Sequence, residues 1–505
     1  MTGDFRRRGS YPPGMRTFLL AALVGLVGCT QILGDDFTIG DPGSGGNTSS
    51  AGAHPGVGGG GGAQGGAGGT GGVLPTFDLV WQERVGGDGE QLLLDLARDG
   101  NDQVGMVGTF EVTLPLDTTH TSNSTLGDGF VAKTDDAGQV VWSRQFSGGP
   151  GNIVRPQGMA FDSTGAAYIT GLFTSTTDFG SGPTSSNGAE DGFIAKYDVN
   201  GGFQFAKVLG GQSGDDQGVA VATSGNRLFA VGEWVSFIDI DGQSHSSAAA
   251  RNIYLASFQL NGNVLETRTW PSQGSHFISD VATDADGNVI IVGTYDFAAN
   301  FGGDIHNPAG SELAMYVAKF TPDLSLEWSR SFSSTEGPVQ PHRICTQGSR
   351  IAITGRYRGA IDFGGGTVPH QGGDDAFALV LDGAGSYFHA ITLTGAADEG
   401  FGDCTFLPGD RLGIMGSFAS VVDTGVGTIS PVGPNDHVFL VYAAQGTSPS
   451  FVRQLPGDGN AIQPHIEATS DGGVILGSSP LGSHSFGGMV LPSTNGRDFV
   501  YAKLR

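Results

Sequence analysis

One short sequence pattern recurs along most of this chain, and its constant spacing limits the fold more than any other feature. The pattern reads DGFVAK…WSRQF over residues 128–146, DGFIAK…FQFAKV over 191–208 and YVAK…EWSRSF over 316–332. A period of 61 to 63 residues is marked by Trp81, Trp142, Phe205, Glu266, Trp328, His389 and Phe451. A period that holds over seven units indicates a repeat architecture.

Each unit contains four short segments with the apolar alternation of β-strands, separated by turns rich in Gly, Asp and Asn. The second segment usually ends in a glycine with an aromatic residue two positions later, as in Gly108 and Phe110 or Gly293 and Tyr295. The glycine indicates close approach of neighbouring backbone, and the aromatic ring is interpreted as packing between units. Four-stranded meanders repeated radially build a β-propeller.

The two ends of the chain complement each other. Residues 78–85 match a fourth strand but come first, whereas the chain stops just after a third strand at 498–503. The N-terminal segment is therefore predicted to complete the last unit. The prediction is an all-β fold, a single seven-bladed β-propeller over 77–505 with repeats of about 62 residues. A solenoid would need capping units instead.

The beginning of the chain has the pattern of an export signal. Arg16 precedes an apolar run over 18–27, which is typical of a signal-peptide core and short for a membrane span. The run ends in LVGC at 26–29, which resembles a bacterial lipobox. That resemblance implies a signal peptide over 1–28 and lipidation of Cys29, with a plain secretory signal as the alternative. Thr30 after the cysteine then favours the outer membrane.

Residues 29–76 are predicted to be a lipid-anchored, disordered tether, because the glycine-rich stretch at 41–72 has almost nothing to bury. A flexible segment of this length reaches on the order of 30 Å. The G-x-G-x-x-G matches within it neither follow a strand nor open a helix, so they do not indicate a dinucleotide site. Met1 and Met15 both remain open as the start of translation.

The repeat taken as a whole, DxxGxxYxTGxF…DFG…DGFxAKxDxxGxxxWSRxF, resembles the bacterial SBBP-type β-propeller repeat over about residues 77–505. That resemblance implies a propeller of secreted or surface proteins. It implies little about activity, because propellers carry many unrelated functions.

Charge narrows the range of partners. The chain has 50 acidic and 25 basic residues, and cleavage before Cys29 leaves a net charge of −28. Such a surface repels phosphate backbones, so no nucleic-acid partner is expected. Neither G-x-S-x-G nor H-E-x-x-H occurs in the sequence. The leading interpretation is a monomeric, non-catalytic binding or scaffold module for a protein or glycan, at the cell surface or in the periplasm. The alternative is a hydrolase or lyase acting on extracellular polysaccharide.

The first strand of each unit is expected to line a central channel. A candidate polar ring at one channel mouth consists of Gln157, Gln217, Asp280, His342, Asp403 and His465. The segments QPHRI at 340–344 and QPHIE at 463–467 are near copies, and both histidines are expected to be solvated. Ordinary polar lining of a wet channel is the alternative interpretation.

Two further features are less informative. The turn DADGN at 284–288 resembles part of a calcium loop, which makes Asp284 and Asp286 a candidate metal site. A plain hairpin turn is favoured over it, and no other cofactor is expected. Cys345 and Cys404 fall in the first strands of neighbouring units. Two buried free thiols are favoured over a disulfide, because such strands are expected to lie too far apart.

Overall fold

The computed structural model describes residues 76–248, 251–309, 313–443, 445–492 and 496–505. The predicted signal peptide, Cys29 and the tether up to residue 75 lie outside these ranges. Every regular element in the described residues is a β-strand. Within these ranges no helix has the length and apolar character needed to cross a membrane.

Seven antiparallel sheets, here called blades 1 to 7 in chain order, form a ring, and each blade has four strands. The sheet of blade 2 is extended to six strands because Leu209 of its outer strand pairs with Ile240 in a hairpin of blade 3. The innermost strands are Gln91–Arg98, Val154–Phe161, Gln217–Ser224, His276–Thr283, Val339–Gln347, Glu399–Leu407 and Ala461–Ala468. The second strands are Val104–Phe110, Ala167–Asp178, Arg227–Trp234, Val289–Tyr295, Arg350–Tyr357, Arg411–Phe418 and Val474–Pro480. The third strands are Asp128–Thr134, Pro183–Tyr197, Asn252–Gln259, Ala314–Phe320, Asp375–Leu381, Asp436–Tyr442 and Phe499–Leu504. The outermost strands are Val140–Phe146, Phe203–Leu209, Val264–Thr269, Leu326–Phe332, Tyr387–Leu393, Pro449–Leu455 and, in blade 7, Leu79–Val85.

In five blades the connection between the second and third strands contains a short β-hairpin. They are Thr113–Pro115 with Thr119–Thr121, Phe237–Ile240 with Gln243–Ser246, Ala299–Asn300 with Ile305–His306, Ile361–Asp362 with Thr367–Val368, and Val422–Asp423 with Thr428–Ile429. In blade 2 the hairpin is continuous with the long second and third strands, pairing Asp178 with Pro183.

The ring closes through the N-terminal strand, as predicted. Leu79–Val85 pairs antiparallel with Phe499–Leu504 and becomes the outer strand of blade 7. The indole of Trp81 donates to the carbonyl of Asp136 at 3.1 Å, which ties blade 7 to blade 1. Tyr501 makes a second tie between these blades, because its hydroxyl donates to the Gly138 carbonyl at 2.9 Å. The seven-bladed prediction is confirmed.

The recurring glycine of the second strand has a clear physical reason. The innermost strand bulges opposite it, as at Leu93/Asp95 in blade 1, and this brings a carbonyl oxygen over the glycine. A Cβ atom on Gly108 would lie 1.8 Å from the oxygen of Leu92, a separation that real Cβ atoms do not show. The close approach predicted from the sequence is therefore confirmed.

The core lies between neighbouring sheets. Phe229 of blade 3 packs in one cluster with Tyr295 of blade 4, and Phe110 of blade 1 packs in another with Phe499 of blade 7. The aromatic rings two positions after the recurring glycine are at most 1% exposed; they belong to Phe110, Phe173, Trp234, Tyr295, Tyr357 and Phe418. Their predicted role in packing between blades is confirmed.

The two central cysteines correct the sequence-based expectation. Cys345 and Cys404 form a disulfide between the innermost strands of blades 5 and 6, with Cα atoms 5.8 Å apart. The sequence predicts free thiols, on the expectation that neighbouring innermost strands lie too far apart for a disulfide. Near the axis of a seven-bladed ring these strands converge, and the observed separation falls within the usual range for a disulfide.

Loss of this disulfide is expected to lower the free energy of unfolding. The bond joins residues 59 positions apart, so removing it returns chain entropy to the unfolded state and costs about 2–4 kcal/mol. Urea denaturation of the Cys345→Ala/Cys404→Ala double variant tests this. Reductant should bring the wild-type protein to the stability of the variant and leave the variant unchanged. Equal unfolding midpoints for the oxidised protein and the variant would contradict the prediction.

Candidate functional site

The structure divides the predicted polar ring into two groups. The first group lies on blades 2 and 3. Gln157 donates from Nε2 to Oε1 of Gln217 at 2.9 Å, and Gln217 donates in turn to Oε2 of Glu233 at 2.9 Å. Arg251 also binds Oε2 of Glu233, at 2.9 Å. Glu233 Oε1 accepts the main-chain N–H of Ile278 in blade 4 at 3.2 Å, so this chain of polar groups links three blades.

The second group surrounds Arg343, which the sequence analysis did not single out. Arg343 lies on the innermost strand of blade 5, and its Nη2 contacts Oδ1 of Asp95 in blade 1 at 2.8 Å. Its Nη1 lies 3.8 Å from Oδ1 of Asp280 in blade 4. Blades 5 and 1 are three positions apart in the ring, so the guanidinium crosses the central channel.

Three aspartates of this group tie neighbouring blades together. Each sits at a bulge of an innermost strand and accepts a main-chain N–H from the next blade. The Oδ2–N pairs are Asp95–Met159 at 2.7 Å, Asp280–Ile344 at 2.8 Å and Asp403–Ile466 at 3.0 Å. Asp280 and Asp403 also accept the N–H of the residue that follows them, at 2.8 Å in both cases. These carboxylates therefore have a structural role, because their oxygens already accept hydrogen bonds that join neighbouring blades.

Burial makes ionisation of these acids unfavourable. It raises the pKa of Asp280 to about 6 and that of Asp403 to about 7, although Arg343 acts in the opposite direction. Glu467 of blade 7 belongs to the same cluster: burial and, to a smaller extent, the neighbouring Asp403 raise its pKa to about 8. Around neutral pH the cluster therefore holds protons, and Arg343 balances much of the remaining negative charge.

The two histidines of the near-copied segments differ from the expectation. His465 has a side chain only 5% exposed, and its Nδ1 lies 3.9 Å from Oδ2 of Asp403. His342 is half-buried, and its Nδ1 is 2.8 Å from the carbonyl oxygen of Phe401. Burial lowers the pKa of His342 to about 4. The expectation that both side chains are solvated is therefore wrong for His465, which is buried, whereas His342 keeps part of its surface exposed.

Asp284 and Asp286 occupy a hairpin turn, in which the carboxylate of Asp284 already has hydrogen-bond and ion-pair partners. Oδ1 of Asp284 accepts the N–H groups of Asp286 and Asn288 at 3.0 and 2.9 Å, and its Oδ2 is 2.8 Å from Nζ of Lys319. An aspartate at the same turn position contacts the lysine of the third strand in blade 1 (Asp99 and Lys133, 2.8 Å) and in blade 2 (Asp162 and Lys196, 3.7 Å).

This repeated contact explains why aspartate and lysine recur together in the units. Within the described ranges, no three or more His, Cys, Asp or Glu side chains form a group that could hold a metal ion. The calcium site at Asp284 and Asp286 stays a prediction.

One Ser, His and Asp contact bears on the enzyme alternative. Ser143 Oγ is 2.6 Å from His120 Nε2 and donates to Asp117, so the serine, not the histidine, lies in the middle. Ser143 is 3% exposed. The same imidazole–hydroxyl contact recurs as His245–Thr267 at 2.8 Å and His306–Ser329 at 2.7 Å. A buried contact repeated in three blades holds a hairpin against an outer strand and is not the arrangement of a catalytic triad.

The sequence analysis named Asp280 and Asp403 but missed Asp95, although the three share one detectable signal. Each interrupts a mostly apolar innermost strand, in LLLDLA, FISDVA and FGDCTF. Alignment of the units on their glycines reveals this position. The partner residues Arg343 and Glu467 give no such signal, because each occurs in a single blade.

Comparison with known proteins adds little beyond the repeat. Residues 141–179 match the family model described as the SBBP β-propeller repeat. No curated protein matches the chain significantly.

Several solved structures share a similar arrangement of strands at low identity. A subtype N10 neuraminidase-like protein of A/little yellow-shouldered bat/Guatemala/060/2010 is 10% identical, covering 85% of this chain and 99% of its own, with a TM-score of 0.36. The NanB sialidase of Streptococcus pneumoniae is 9% identical, covering 85% and 70%, with a TM-score of 0.39. The β-propeller domain of the Trilobed protease from Pyrococcus furiosus is 9% identical, covering 80% and 98%, with a TM-score of 0.39. At these scores the likenesses carry no argument about activity.

Proposed function

We propose that this chain is a lipid-anchored, extracytoplasmic β-propeller that acts as a non-catalytic binding or scaffold module at the outer membrane. The proposal rests mainly on the hydrogen bonds that the carboxylates lining the channel make. Asp95, Asp280 and Asp403 each accept main-chain N–H groups of the next blade. Acid–base or nucleophilic catalysis needs a side chain free to meet a substrate, and these side chains hold the ring together instead.

The disulfide supports the proposed location. Cys345 and Cys404 are bonded between two innermost strands, and disulfides persist mainly in oxidising compartments outside the cytosol. This observation is independent of the lipobox-like segment at 26–29. Both point to export, and the segment adds anchorage through Cys29.

Ligand recognition is proposed at the channel mouth, through side chains that the bulges turn away from the sheet. Gln157 and His342 are bulged residues, skipped in the strand pairing at Pro156/Gly158 and Pro341/Arg343, and both are only half-buried. Unlike His465, they are accessible enough to contact a protein or glycan. The same position in blade 6 is Gly402, which offers no side chain.

A binding screen tests this role. The propeller, residues 76–505, is incubated with arrays of glycans and secreted proteins, and any ligand is measured again with Gln157→Ala/His342→Ala. Weaker ligand binding by the double variant, with an unchanged melting temperature, supports the site. Gln204→Ala, on an outer strand, is the control and should bind the ligand as the wild-type protein does. Turnover of a polysaccharide that survives the double substitution would reject both the scaffold role and the site, and would favour the hydrolase or lyase alternative.

Cys29→Ala is expected to release the protein from the membrane fraction. Without the thiol there is no site for the acyl attachment that is the proposed means of anchorage. Fractionation of cells followed by immunoblotting measures the distribution. A Thr30→Ala variant keeps the thiol and should remain membrane-bound. Unchanged membrane partition of Cys29→Ala would contradict lipid anchoring.

A further inference from the structure

Two fully buried histidines lie together at the junction of blades 6 and 7. His437 is in the third strand of blade 6 and is 0% exposed, and His484 follows the second strand of blade 7 and is 1% exposed. Their ring centroids are 6.0 Å apart and their planes are inclined at 74°. Within the described residues none of the four ring nitrogens makes a hydrogen bond of ordinary geometry, and the only backbone group close enough to act on either ring as a weak partner is that of Ala461, beside His437. Buried polar groups are usually paired, so this pair requires an explanation.

The propeller architecture does not require a histidine at this place. The equivalent residues of the other third strands are Gly129, Gly192, Ile253, Met315, Ala376 and Phe499. None of these side chains is polar. His437 is therefore a departure from the repeat, and it brings a metal-binding side chain into an otherwise apolar layer.

Burial in an apolar layer favours the neutral form of both imidazoles. Burial, together with the nearby His484, lowers the pKa of His437 to about 3, against the opposing effect of the Ala461 backbone. Burial also lowers the pKa of His484 to about 4, against the opposing effect of Asp436. A neutral imidazole has one nitrogen lone pair free to bind a metal ion.

The surroundings disfavour a highly charged ligand. The ring of His484 packs edge-on against Phe486 at 5.0 Å. Oδ2 of the neighbouring Asp436 accepts hydrogen bonds from Val432 and Gln454. Its Oδ1 accepts the N–H of Gly457 at 3.2 Å. With no free carboxylate, a buried divalent ion would keep its full charge in an apolar layer, which is costly.

We propose that His437 and His484 together bind a soft monovalent d10 metal ion, Cu⁺ or its analogue Ag⁺, through one nitrogen of each ring. With metal–nitrogen bonds of about 2.0 Å, the ion would lie about 3.2 Å from each ring centroid. Two such legs span at most about 6.4 Å, so the observed 6.0 Å corresponds to a two-coordinate site bent to about 140° at the ion. Imidazole is a good ligand for copper, and two-fold coordination suits this class of ion.

The neighbouring His465 does not complete a larger site. Both of its ring nitrogens are buried, and its pKa is affected by His437 on one side and by the backbone of Leu93 on the other. The described residues nevertheless contain no three-ligand group of His, Cys, Asp or Glu. The inference concerns the pair alone, and it stands or falls independently of the proposed binding role of the channel mouth.

Silver titration of the full-length chain tests the site. All samples carry Cys29→Ala, because a free thiol also binds Ag⁺, and the buffer contains nitrate in place of chloride. Without reductant the Cys345–Cys404 disulfide stays intact. Calorimetry is expected to show one equivalent of bound Ag⁺. His437→Phe and His484→Phe should each weaken binding at least ~100-fold, since each removes one of only two ligands.

Two choices keep the test specific. Phe499 is the natural residue of blade 7 at the position of His437, so the phenylalanine variant fits a blade that already exists in this chain. His389→Phe is the matched control, because His389 also has two buried, unpartnered ring nitrogens but lies on the outer strand of blade 5. It should leave stoichiometry and affinity unchanged.

X-ray absorption at the silver edge provides the second measurement, and it needs no variant. Two nitrogen ligands in the wild-type chain support the proposal even if a phenylalanine variant fails to fold. Absence of binding, binding that persists in both variants, or a crystal structure with only an ordered water between the rings after Ag⁺ soaking would each overturn it.

Discussion

Deletion of residues 77–86 is expected to abolish cooperative folding of the propeller. The deleted strand, Leu79–Val85, forms the outer edge of blade 7 and pairs along the whole of Phe499–Leu504. The deletion also removes Phe77, whose ring is 1% exposed and packs against Phe439 and Phe451 with centroids 5.1 Å away in both cases. Loss of a buried aromatic ring alone costs about 3–5 kcal/mol, and loss of the strand adds to this.

The consequence extends beyond blade 7, because the deleted strand also contacts blade 1. Trp81 covers the turn at Gly138, where a Cβ atom would lie 2.9 Å from the indole ring. Without it the strand Phe499–Leu504 becomes an exposed edge whose residues are all buried in the intact ring, and such edges promote aggregation. Scanning calorimetry should show no cooperative transition. A synthetic peptide of residues 76–87 added in trans should restore it.

Removal of ten residues from the glycine-rich segment, 56–65, is the matched control. That segment carries no side chain larger than Val57 or Gln64, so its loss should leave the melting temperature unchanged. A normal cooperative transition in the 77–86 deletion would mean that six complete blades suffice, and the closed ring would not be the folding unit.

The fold was predictable because each repeated residue has a local physical cause. Gly108 and its equivalents are required by a close backbone contact, and the aromatic residue two positions later packs between sheets. The out-of-phase ends of the chain indicate that the N-terminal strand closes the ring. Each signal can be read from one unit and checked against the others. The contact between the repeated turn aspartate and the third-strand lysine, by contrast, was not predicted. The two residues are far apart within the unit, and only the folded sheet brings the turn next to the third strand.

The candidate site was less predictable because bulges break the alternation of strands. Gln157 and His342 are bulged residues, whereas Asp280 and Asp403 come one residue after a bulge. Residues that look equivalent in the sequence therefore point in different directions. The salt bridge from Arg343 to Asp95 spans 248 residues and crosses the channel, and no pattern within a unit encodes that distance.

Arg343→Met is expected to destabilise the propeller by about 3–5 kcal/mol near pH 8, the usual cost of removing one partner from a buried ion pair. The arginine is 20% exposed and lies among Asp95, Asp280, Asp403 and Glu467. Methionine preserves much of the side-chain volume, so the loss reports mainly the uncompensated negative charge. Arg411→Met is the matched control, since Arg411 binds only the carbonyl of Pro408 in its own turn among the hydrogen bonds of the described residues.

The pH dependence of this loss separates charge from packing. The folded-state pKa values of Asp280, Asp403 and Glu467 are raised to about 6, 7 and 8, above the values near 4 of an unfolded chain. The folded protein thus holds protons that the unfolded chain releases, so these acids reduce stability progressively as pH rises from about 4 to 8. Removal of Arg343 raises their pKa values further and steepens this decline. Urea denaturation should therefore show a small deficit at pH 5 and a much larger one at pH 8.5. A loss of stability of equal size at both pH values would mean that Arg343 stabilises the propeller by packing. An electrostatic role requires the loss to grow as the acids ionise in the folded state.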